Sequence, residues 1–582
     1  MGRQAVHDVD VCVVGGGMAG LAAALSAARR GAEVVCIHDR PVLGGNASSE
    51  CRVHICGADR HNSNPNARET GVLEELRLRN LSVNPQQSFS VWDSVLYDAV
   101  RRQEGLKVLL NCSGQAAEMD GQRIASVAAW QATTYTRHVV RAKVFIDCSG
   151  DGILAPLTSA AYRVGREGRD EFGESLAPEK PDAGTMGMTL AFSAVEHDRP
   201  HPFTPPPWAR RFDRCEDLPG GWRGHGWWRL GYWWVELGGM DDSIHDTERV
   251  RDDLLAVLFG VWDHIKNRCD HHRDAAAHWA LDWVQFLPAK RESRRYVGRH
   301  VLTQQDVLSG GTFPDAVAYG GWTIDEHPPV GVRCAEFGLE PAYHAAPPLY
   351  GIPYGALVSR DVANLMFAGR CASCTHIAMS STRVMGTACS MGQAAGTAAA
   401  LAVRHGADPL GVEDRIDELQ QALLADDAYL PGVRQRFNDA TVHADYRASA
   451  GDPGSLRDGV NRPVGDDDHA WGAPVGATLE IHLAEPAVVR RLVLVADSSL
   501  HLEIQMSFWQ ADDQLTAPPA SLLKAASVEV LADGCWRASG GIRDNDQRLI
   551  RVPIGRRVQA VRIRLDETWG ADPTRLFAAY VE

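Results

Sequence analysis

Residues 9–37, VDVCVVGGGMAGLAAALSAARRGAEVVCI, limit the fold more than any other part of the chain. Val9–Val14 is apolar and mostly β-branched apart from Asp10, the pattern of a strand buried on both faces. Gly15-x-Gly17-x-x-Gly20 follows at once, and an Ala/Leu-rich run predicts a helix to about Arg30. Gly31 stands where a helix-ending glycine belongs, and Glu33–Ile37 predicts a second strand. Each glycine of the motif has its own task. Gly15 permits a tight turn, Gly17 lets a pyrophosphate approach the backbone, and Gly20 lets the helix pack closely on the strand. The first amides of the helix, with the positive end of its dipole, are then available to phosphate. Strand, glycine turn and helix in one short unit is the context in which this motif denotes dinucleotide binding. The second strand of such a unit usually ends in an acid that takes the ribose hydroxyls. That position is His38, with Asp39 beside it, so both are candidates for the contact.

Length and charge narrow the rest. A chain of 582 residues exceeds one hydrophobic core, so several domains are expected. A net charge of -15 argues against sequence-independent nucleic-acid binding, which needs clustered Lys and Arg to displace counterions. The alanine-rich stretches at 19–28 and 394–403 are too short to span a bilayer. No signal-peptide pattern precedes the first strand. The thirteen Cys are scattered, twelve of them before residue 400, as reduced thiols of a cytoplasmic enzyme would be. No zinc signature is found: His271-His272 and the Cys pairs lack partners at ligand spacing.

Further glycine-rich segments identify the dinucleotide. Arg40-Pro-Val-Leu-Gly44-Gly45-Asn46-Ala-Ser48-Ser resembles the second glycine loop of glutathione-reductase-like flavoproteins, which favours FAD over NAD. Val144–Gly152 and Leu365–Arg370 read as strands returning to the nucleotide sheet, each running into a glycine turn. Residues 386–400 supply another helix start. With KRESRRYVG (290–298), GGWTIDEHPP (320–329) and the long run 352–400, these segments resemble the large bacterial FAD-dependent oxidoreductase family, distantly related to fumarate reductase flavoproteins and GidA. The resemblance spans most of residues 8–405. It implies FAD and redox chemistry, and it places Gly15, Gly17, Gly20, His38, Asp39, Arg40, Gly44, Gly45, Asn46, Ser48, Gly369, Arg370, Gly386, Gly392, Gln393 and Ala394 among the cofactor-binding residues. It does not fix a substrate.

The expected architecture is α/β: a Rossmann-like, glutathione-reductase-like FAD-binding domain from 1–160 and 345–405, with an inserted α+β substrate domain at 161–344. Residues 406–436 read as a helical linker with Ile416, Leu419, Leu423 and Leu424 on one face. From about Phe437, short alternating runs separated by Gly, Pro and Asp turns predict an antiparallel β-sandwich over 437–582. This segment resembles a discoidin or galactose-binding-like module and is expected to be separable. Such modules often bind carbohydrate, and many only pack against their enzyme.

Several residues are candidates for chemistry. His327, two residues after Asp325, is the first choice for a base that takes an alcohol proton; the competing reading is a loop histidine held between prolines. His376 follows the Gly369 turn and is the second choice; alternatively it only orients the cofactor or a carbonyl. Arg383 is placed to clamp a substrate carboxylate or stabilise reduced flavin, whereas Arg291, Arg294 and Arg295 read as a structural ion-pair set. Cys371-x-x-Cys374 has the form of a redox dithiol but reads better as two small buried residues. Trp222, Trp227, Trp228, Trp233 and Trp234 crowd one glycine-rich stretch, as a pocket wall for a sugar or as a strand pair with Trp on both faces. Trp233, Trp234, Trp322 and Tyr354 are the expected substrate contacts.

The reading that results is hydride transfer from a C–H of a carbohydrate-like or hydroxylated small molecule to flavin N5. Two alternatives stand beside it: FAD-linked reduction of an unsaturated acid, and a carbohydrate-binding protein with a non-catalytic flavin. The electron acceptor and the oligomeric state are left open, and neither nucleic acid nor a membrane span is expected.

Overall fold

The computed structural model describes residues 2–582 except 59–63, 220–223, 231–234, 340–341 and 507–513. Its first sheet has seven strands in mixed orientation. β1 (Arg3–Val14) leads through the glycine turn into α1 (Met18–Arg29) and then β2 (Val34–Ile37). β3 (Leu106–Leu109), β4 (Cys112–Asp120), β5 (Arg123–Gln131) and β6 (Thr136–Asp147) follow, and β7 (Leu365–Phe367) returns much later. The spatial order is β3-β2-β1-β6-β5-β4. β1, β2, β3, β6 and β7 pair in parallel, whereas β4 and β5 are antiparallel additions. β6 changes neighbours midway. Its first residues pair with β5 and its last three with β7. β1 also begins earlier than its apolar run predicts, at Arg3 instead of Val9. Residues 3–9 are exposed or half-buried, so burial gave no signal, and pairing with Thr136–Ala142 of β6 makes them a strand.

After β7 come α2 (His376–Thr382) and α3 (Met385–His405). α3 crosses α1 at close range because the contact is made of small residues. A Cβ on Gly392 would stand 2.0 Å from the Ala19 carbonyl oxygen, and one on Gly396 would stand 2.1 Å from that of Ala23. The segment expected to be a linker is a short 3-10 stretch followed by a helix, Ile416–Ala425, and it joins this core. Leu419, Leu423 and Leu424 are buried in the same cluster as the alanines of α1 and α3.

The chain between β6 and β7 forms small two-stranded sheets, of which Met188–Thr189 with Glu236–Leu237 and Phe192–Glu196 with Trp279–Val284 share a core with the 17-residue helix Thr247–Asp263. Among the described residues no helix is long and apolar enough to cross a membrane.

The C-terminal part is a second seven-stranded sheet, antiparallel throughout. β8 (Asp445–Ala448) and β9 (Trp471–Ala473) lie beside long strands: β10 (Thr478–Ala496), β11 (Leu523–Ala532), β12 (Cys535–Ile542), β13 (Leu549–Thr568) and β14 (Thr574–Val581). Alternating apolar residues of these strands build a separate core.

The junction between the two sheets is polar and buried. Arg68, Arg462 and Arg548 are each no more than 1% exposed. Arg68 holds Glu74 with two bonds of 3.0 and 2.6 Å and donates to the carbonyls of Ser498, Ser499 and Leu502. Arg462 donates to the carbonyls of Asn66 and Arg68 and stacks 4.0 Å over the ring of Tyr429. Arg548 pairs with Asp427 at 2.9 Å. Removing one partner of such a buried pair costs about 3–5 kcal/mol, because the other charge is left without compensation. These bonds tie the C-terminal sheet to the rest of the chain.

Candidate active site

A cavity of about 730 Å³ opens at the carboxyl ends of β1, β2 and β6, the position where open α/β sheets bind ligands. Its walls include Gly15–Ala19, His38–Pro41, Gly44–Asn46, Cys148–Asp151, Ala368–Arg370 and Val384–Met385. Thr189, Arg291, Trp322, Asp325, His327 and Arg383 belong to the same walls.

The nucleotide-binding part follows from backbone geometry. Gly15 has φ +103°, and a Cβ there would meet the Cys148 carbonyl oxygen at 2.4 Å. A Cβ on Gly20 would lie 1.8 Å from the Gly15 carbonyl oxygen, so helix and turn touch directly. Gly17 differs: the nearest atom to its Cβ position is 3.9 Å away, leaving its face open to the cavity. α1 begins at Gly17 with no side-chain cap and no acid in its first turn, so its leading amides and positive dipole end remain available to phosphate. These features fit the pyrophosphate of FAD. The second glycine loop lies alongside, with Gly44 N–H donating to Gly16 O at 2.9 Å and both Gly44 and Gly45 at positive φ.

His38 braces this loop. Its Nδ1 accepts from Gly16 N–H at 3.0 Å, and its Nε2–H donates to Val42 O at 2.9 Å. Burial, with help from Arg40, lowers its pKa to about 4 against the opposing pull of Asp39, so the ring is neutral at physiological pH. Both ring nitrogens are engaged within the protein. Asp39 is 65% exposed and in the cavity wall.

The returning turns are tied together by Asp151. It accepts from Lys290 Nζ at 2.8 Å, Ser293 Oγ at 2.8 Å and Arg370 Nη2 at 2.9 Å. Burial pushes its carboxyl upward, but Arg370 and Lys290 together hold it below the usual range. Arg370 also donates to the carbonyls of Gly150 and Lys290, and Asn46 donates to that same Lys290 carbonyl at 3.1 Å.

The remaining wall carries alternating charges. His327 Nδ1 lies 2.7 Å from Glu236 Oε2, and its Nε2 lies 3.2 Å from Asp325 Oδ2. Arg383 Nη2 donates to Asp325 Oδ2 at 2.9 Å, and Arg291 lies 3.4 Å from Glu236 while donating to Thr189 Oγ1 at 2.6 Å. The short strand Asp325–Glu326, paired with Ala342–Tyr343, carries Asp325 with His327 just beyond it, and Glu236 comes from a second short strand paired with Met188–Thr189. His327 is 3% exposed. Its two ring nitrogens therefore lie between the carboxylates of Glu236 and Asp325.

Other expected residues lie elsewhere. His376 is buried at the start of α2, with Nδ1 2.9 Å from Glu292 and its backbone N–H on Glu167, and it is not in the cavity wall. Glu292 and Glu167 in turn pair with buried Arg295. Tyr354 is in the core and donates to Pro409 O at 2.7 Å. Gly20, Gly392 and Ala394 serve the contact of α1 with α3 and the turn before it, and Gly386 N–H bonds Cys56 O. Gln393 accepts from Val72 N–H, and Ser48 donates to Gly45 O. These residues place the two helix starts without lining the cavity. Cys371 and Cys374 are buried, and burial pushes both thiols far up, Cys374 to about 12, so neither is a reactive thiolate. Trp233, Trp234 and Trp222 lie outside the described residues. Trp228 packs in the core, 5.2 Å from Trp279 and 6.1 Å from Trp262 between ring centroids. Sequence reading missed Glu236 and Thr189, and it grouped Arg291 with the structural arginines. Glu236 stands in the Trp-rich run, and no spacing in sequence ties it to His327, 91 residues away.

The family model described as FAD dependent oxidoreductase matches residues 10–423. No curated protein matches the chain. Among solved structures, a geranylgeranyl bacteriochlorophyll reductase-like protein from Thermoplasma acidophilum is 13% identical, with 73% of this chain and 88% of that chain covered and a TM-score of 0.32. The flavin-dependent brominase Bmp2 is 12% identical, with 72% and 86% covered and a TM-score of 0.33. The family 32 carbohydrate-binding module of Streptococcus pneumoniae EndoD is 14% identical over 24% of this chain and 94% of its own, with a TM-score of 0.19.

Proposed function

The chain belongs to the FAD dependent oxidoreductase family, and on that premise we propose that it oxidises a C–H of a hydroxylated, carbohydrate-like small molecule with His327 as the base. The observation that carries this reading is one cavity whose wall holds both the dinucleotide loops and His327, Asp325 and Arg383, with Glu236 bonded to His327 from outside that wall. FAD, when bound, supplies a two-electron acceptor at its N5. The protein's part is to take the hydroxyl proton as the carbonyl forms. His327 and Asp325, in contact at Nε2, take it together as one acceptor pair, and Glu236 fixes the ring through Nδ1. Arg383 and Arg291 pair with Asp325 and Glu236 and present guanidinium edges to an anionic or hydroxylated group, while Trp322 supplies an apolar face for a sugar ring.

In this reading residues 161–344 form the substrate part over the FAD-binding part, and residues 437–582 form a galactose-binding-like β-sandwich. Register shifts between His482 and Ala487 and between Val489 and Arg491, within strands of 19 and 20 residues, support bending of one sheet into two layers.

The test is anaerobic bleaching of bound flavin by a panel of sugars and sugar acids. With a substrate that bleaches it, His327→Ala is expected to slow reduction by about a hundredfold while FAD stays bound, and His376→Ala is expected to reduce normally. Normal reduction by His327→Ala refutes the assignment of the base. If no hydroxylated compound bleaches the flavin and an unsaturated acid reoxidises it, the chain is a reductase.

A further inference from the structure

Away from the flavin cavity, four side chains that no sequence spacing links converge on one point. Cys215, His225, His264 and Cys269 each direct one ligand-type atom into a cluster whose members all lie within 4.8 Å of one another. Cys215 Sγ is 3.7 Å from Cys269 Sγ and 3.6 Å from His264 Nε2, and His225 Nε2 is 3.3 Å from Cys269 Sγ. Bond lengths of about 2.3 Å to sulfur and about 2.0–2.1 Å to nitrogen, at tetrahedral angles, put ligand atoms roughly 3.3–3.8 Å apart. These three separations fall in that range, and the remaining pairs lie within 4.8 Å. They exceed a sulfur–sulfur bond of about 2.0 Å by far, so the two cysteines are neighbours and not a disulfide.

The surroundings suit a metal. His264 is fully buried, and its Nδ1–H donates to Phe212 O at 3.1 Å. That bond fixes the tautomer and turns the Nε2 lone pair into the cluster, the usual second interaction of a metal-bound histidine. Cys269 is fully buried and His225 nearly so. His264 and Cys269 flank a π-helical turn, His264–Arg268, that ends the helix Thr247–Asp263, and the wider turn carries both ligands onto one side.

We propose that Cys215, His225, His264 and Cys269 form a mononuclear structural zinc site, with both cysteines bound as thiolates and their two protons released to solvent. Four protein ligands close the tetrahedron, leaving no position for water or substrate. The site is also remote from the redox centre. Thr247, in the cavity wall, and His264 are separated by the length of the helix, about 25 Å at 1.5 Å per residue. Its role is to pin the turn at Cys215 and the segment beginning at His225 onto the end of that helix. Trp228, three residues beyond His225, then fills the core between Trp262 and Trp279.

The experiment uses the full-length protein without a polyhistidine tag, passed over chelating resin and analysed by plasma mass spectrometry beside its FAD content. About one zinc per chain is expected, with less than about a tenth of that in the double variant His264→Ala, Cys269→Ser. Should that variant fail to fold, wild-type protein produced with cobalt decides the matter. Tetrahedral cobalt with thiolate ligands gives d–d bands on the long-wavelength side of the flavin and sulfur-to-metal charge transfer. Metal-free, FAD-replete wild type overturns the proposal, as does a Cys215–Cys269 disulfide or full zinc content in a folded double variant. Iron in place of zinc overturns the choice of metal.

Discussion

His38→Asn is expected to make the protein less stable at neutral pH and more stable below about pH 6, and the crossing follows from two bonds. In the wild type the ring accepts from Gly16 N–H at Nδ1 and donates to Val42 O from Nε2. Asn keeps an acceptor where Nδ1 stands, lacks the donor to Val42, and does not titrate. At pH 7 it therefore loses one buried hydrogen bond, about 1 kcal/mol. The wild-type ring has a pKa of about 4 in the folded chain, lowered chiefly by burial, against about 6.5 unfolded. Between these values the unfolded chain binds more protons, so native stability falls as pH falls through the window. The loss is about 1 kcal/mol near pH 5.8, about 2 kcal/mol at pH 5 and about 3 kcal/mol at pH 4. The two proteins should thus be equally stable close to pH 6, with the variant ahead by about 1 kcal/mol at pH 5. The assay is urea unfolding of FAD-saturated protein followed by release of flavin fluorescence, at pH 7, 6 and 5. Comparing wild type with variant at each pH cancels the other groups that titrate in the window. Parallel curves with no crossing would show that His38 does not accept from Gly16 as a neutral ring, and the account of the loop would fall.

Arg68→Met is expected to destabilise the chain by about 3–5 kcal/mol because it strands buried Glu74, whereas Arg68→Met with Glu74→Leu should recover most of the loss; equal losses in single and double variants by chemical denaturation would refute this. Ending the chain at residue 436 removes Arg462 and Arg548 together with the carbonyls that Arg68 uses, so that fragment should be recovered without FAD; a soluble, yellow fragment would contradict the junction. Asp39→Ala should weaken FAD about tenfold, the scale of one charged hydrogen bond, as read by equilibrium dialysis; unchanged affinity would move the ribose contact to another residue.

The nucleotide unit was legible because its information is local. Period, glycine spacing and β-branching over 9–37 state a strand, a turn, a helix and a second strand, and the structure reproduces them within a few residues at each end except for the early start of β1. The early strand escaped because pairing with a distant segment, not burial, creates it. His327 and Asp325 were found together because they are near in sequence and share a face. Thr189 in that wall and Glu236 behind His327 are brought in from other elements, and neither carries a pattern of its own. Gly392 and Ala394, assigned to the cofactor from the last motif, are small for a different reason, the approach of α3 to α1, and composition alone does not separate those two demands. The Cys215–His225–His264–Cys269 cluster was invisible for a related reason. Its ligand pairs are split by nine and four residues with thirty-eight between, so only the folded chain sets them side by side.

The buried arginines at the junction also set a schedule for the ribosome. Arg68 is made about 430 residues before the Ser498 carbonyl that receives it, and at roughly 5–20 residues per second it waits on the order of 20–90 s. During that time its guanidinium has Glu74 but not its backbone acceptors, and Asp427 similarly waits for Arg548. The FAD-binding sheet therefore leaves the exit tunnel as a half-sealed body, and translation speed through the last quarter of the message governs how long it stays exposed to proteases and chaperones. Slow codons downstream of residue 436 should depress the yield of coloured protein without altering a single amino acid.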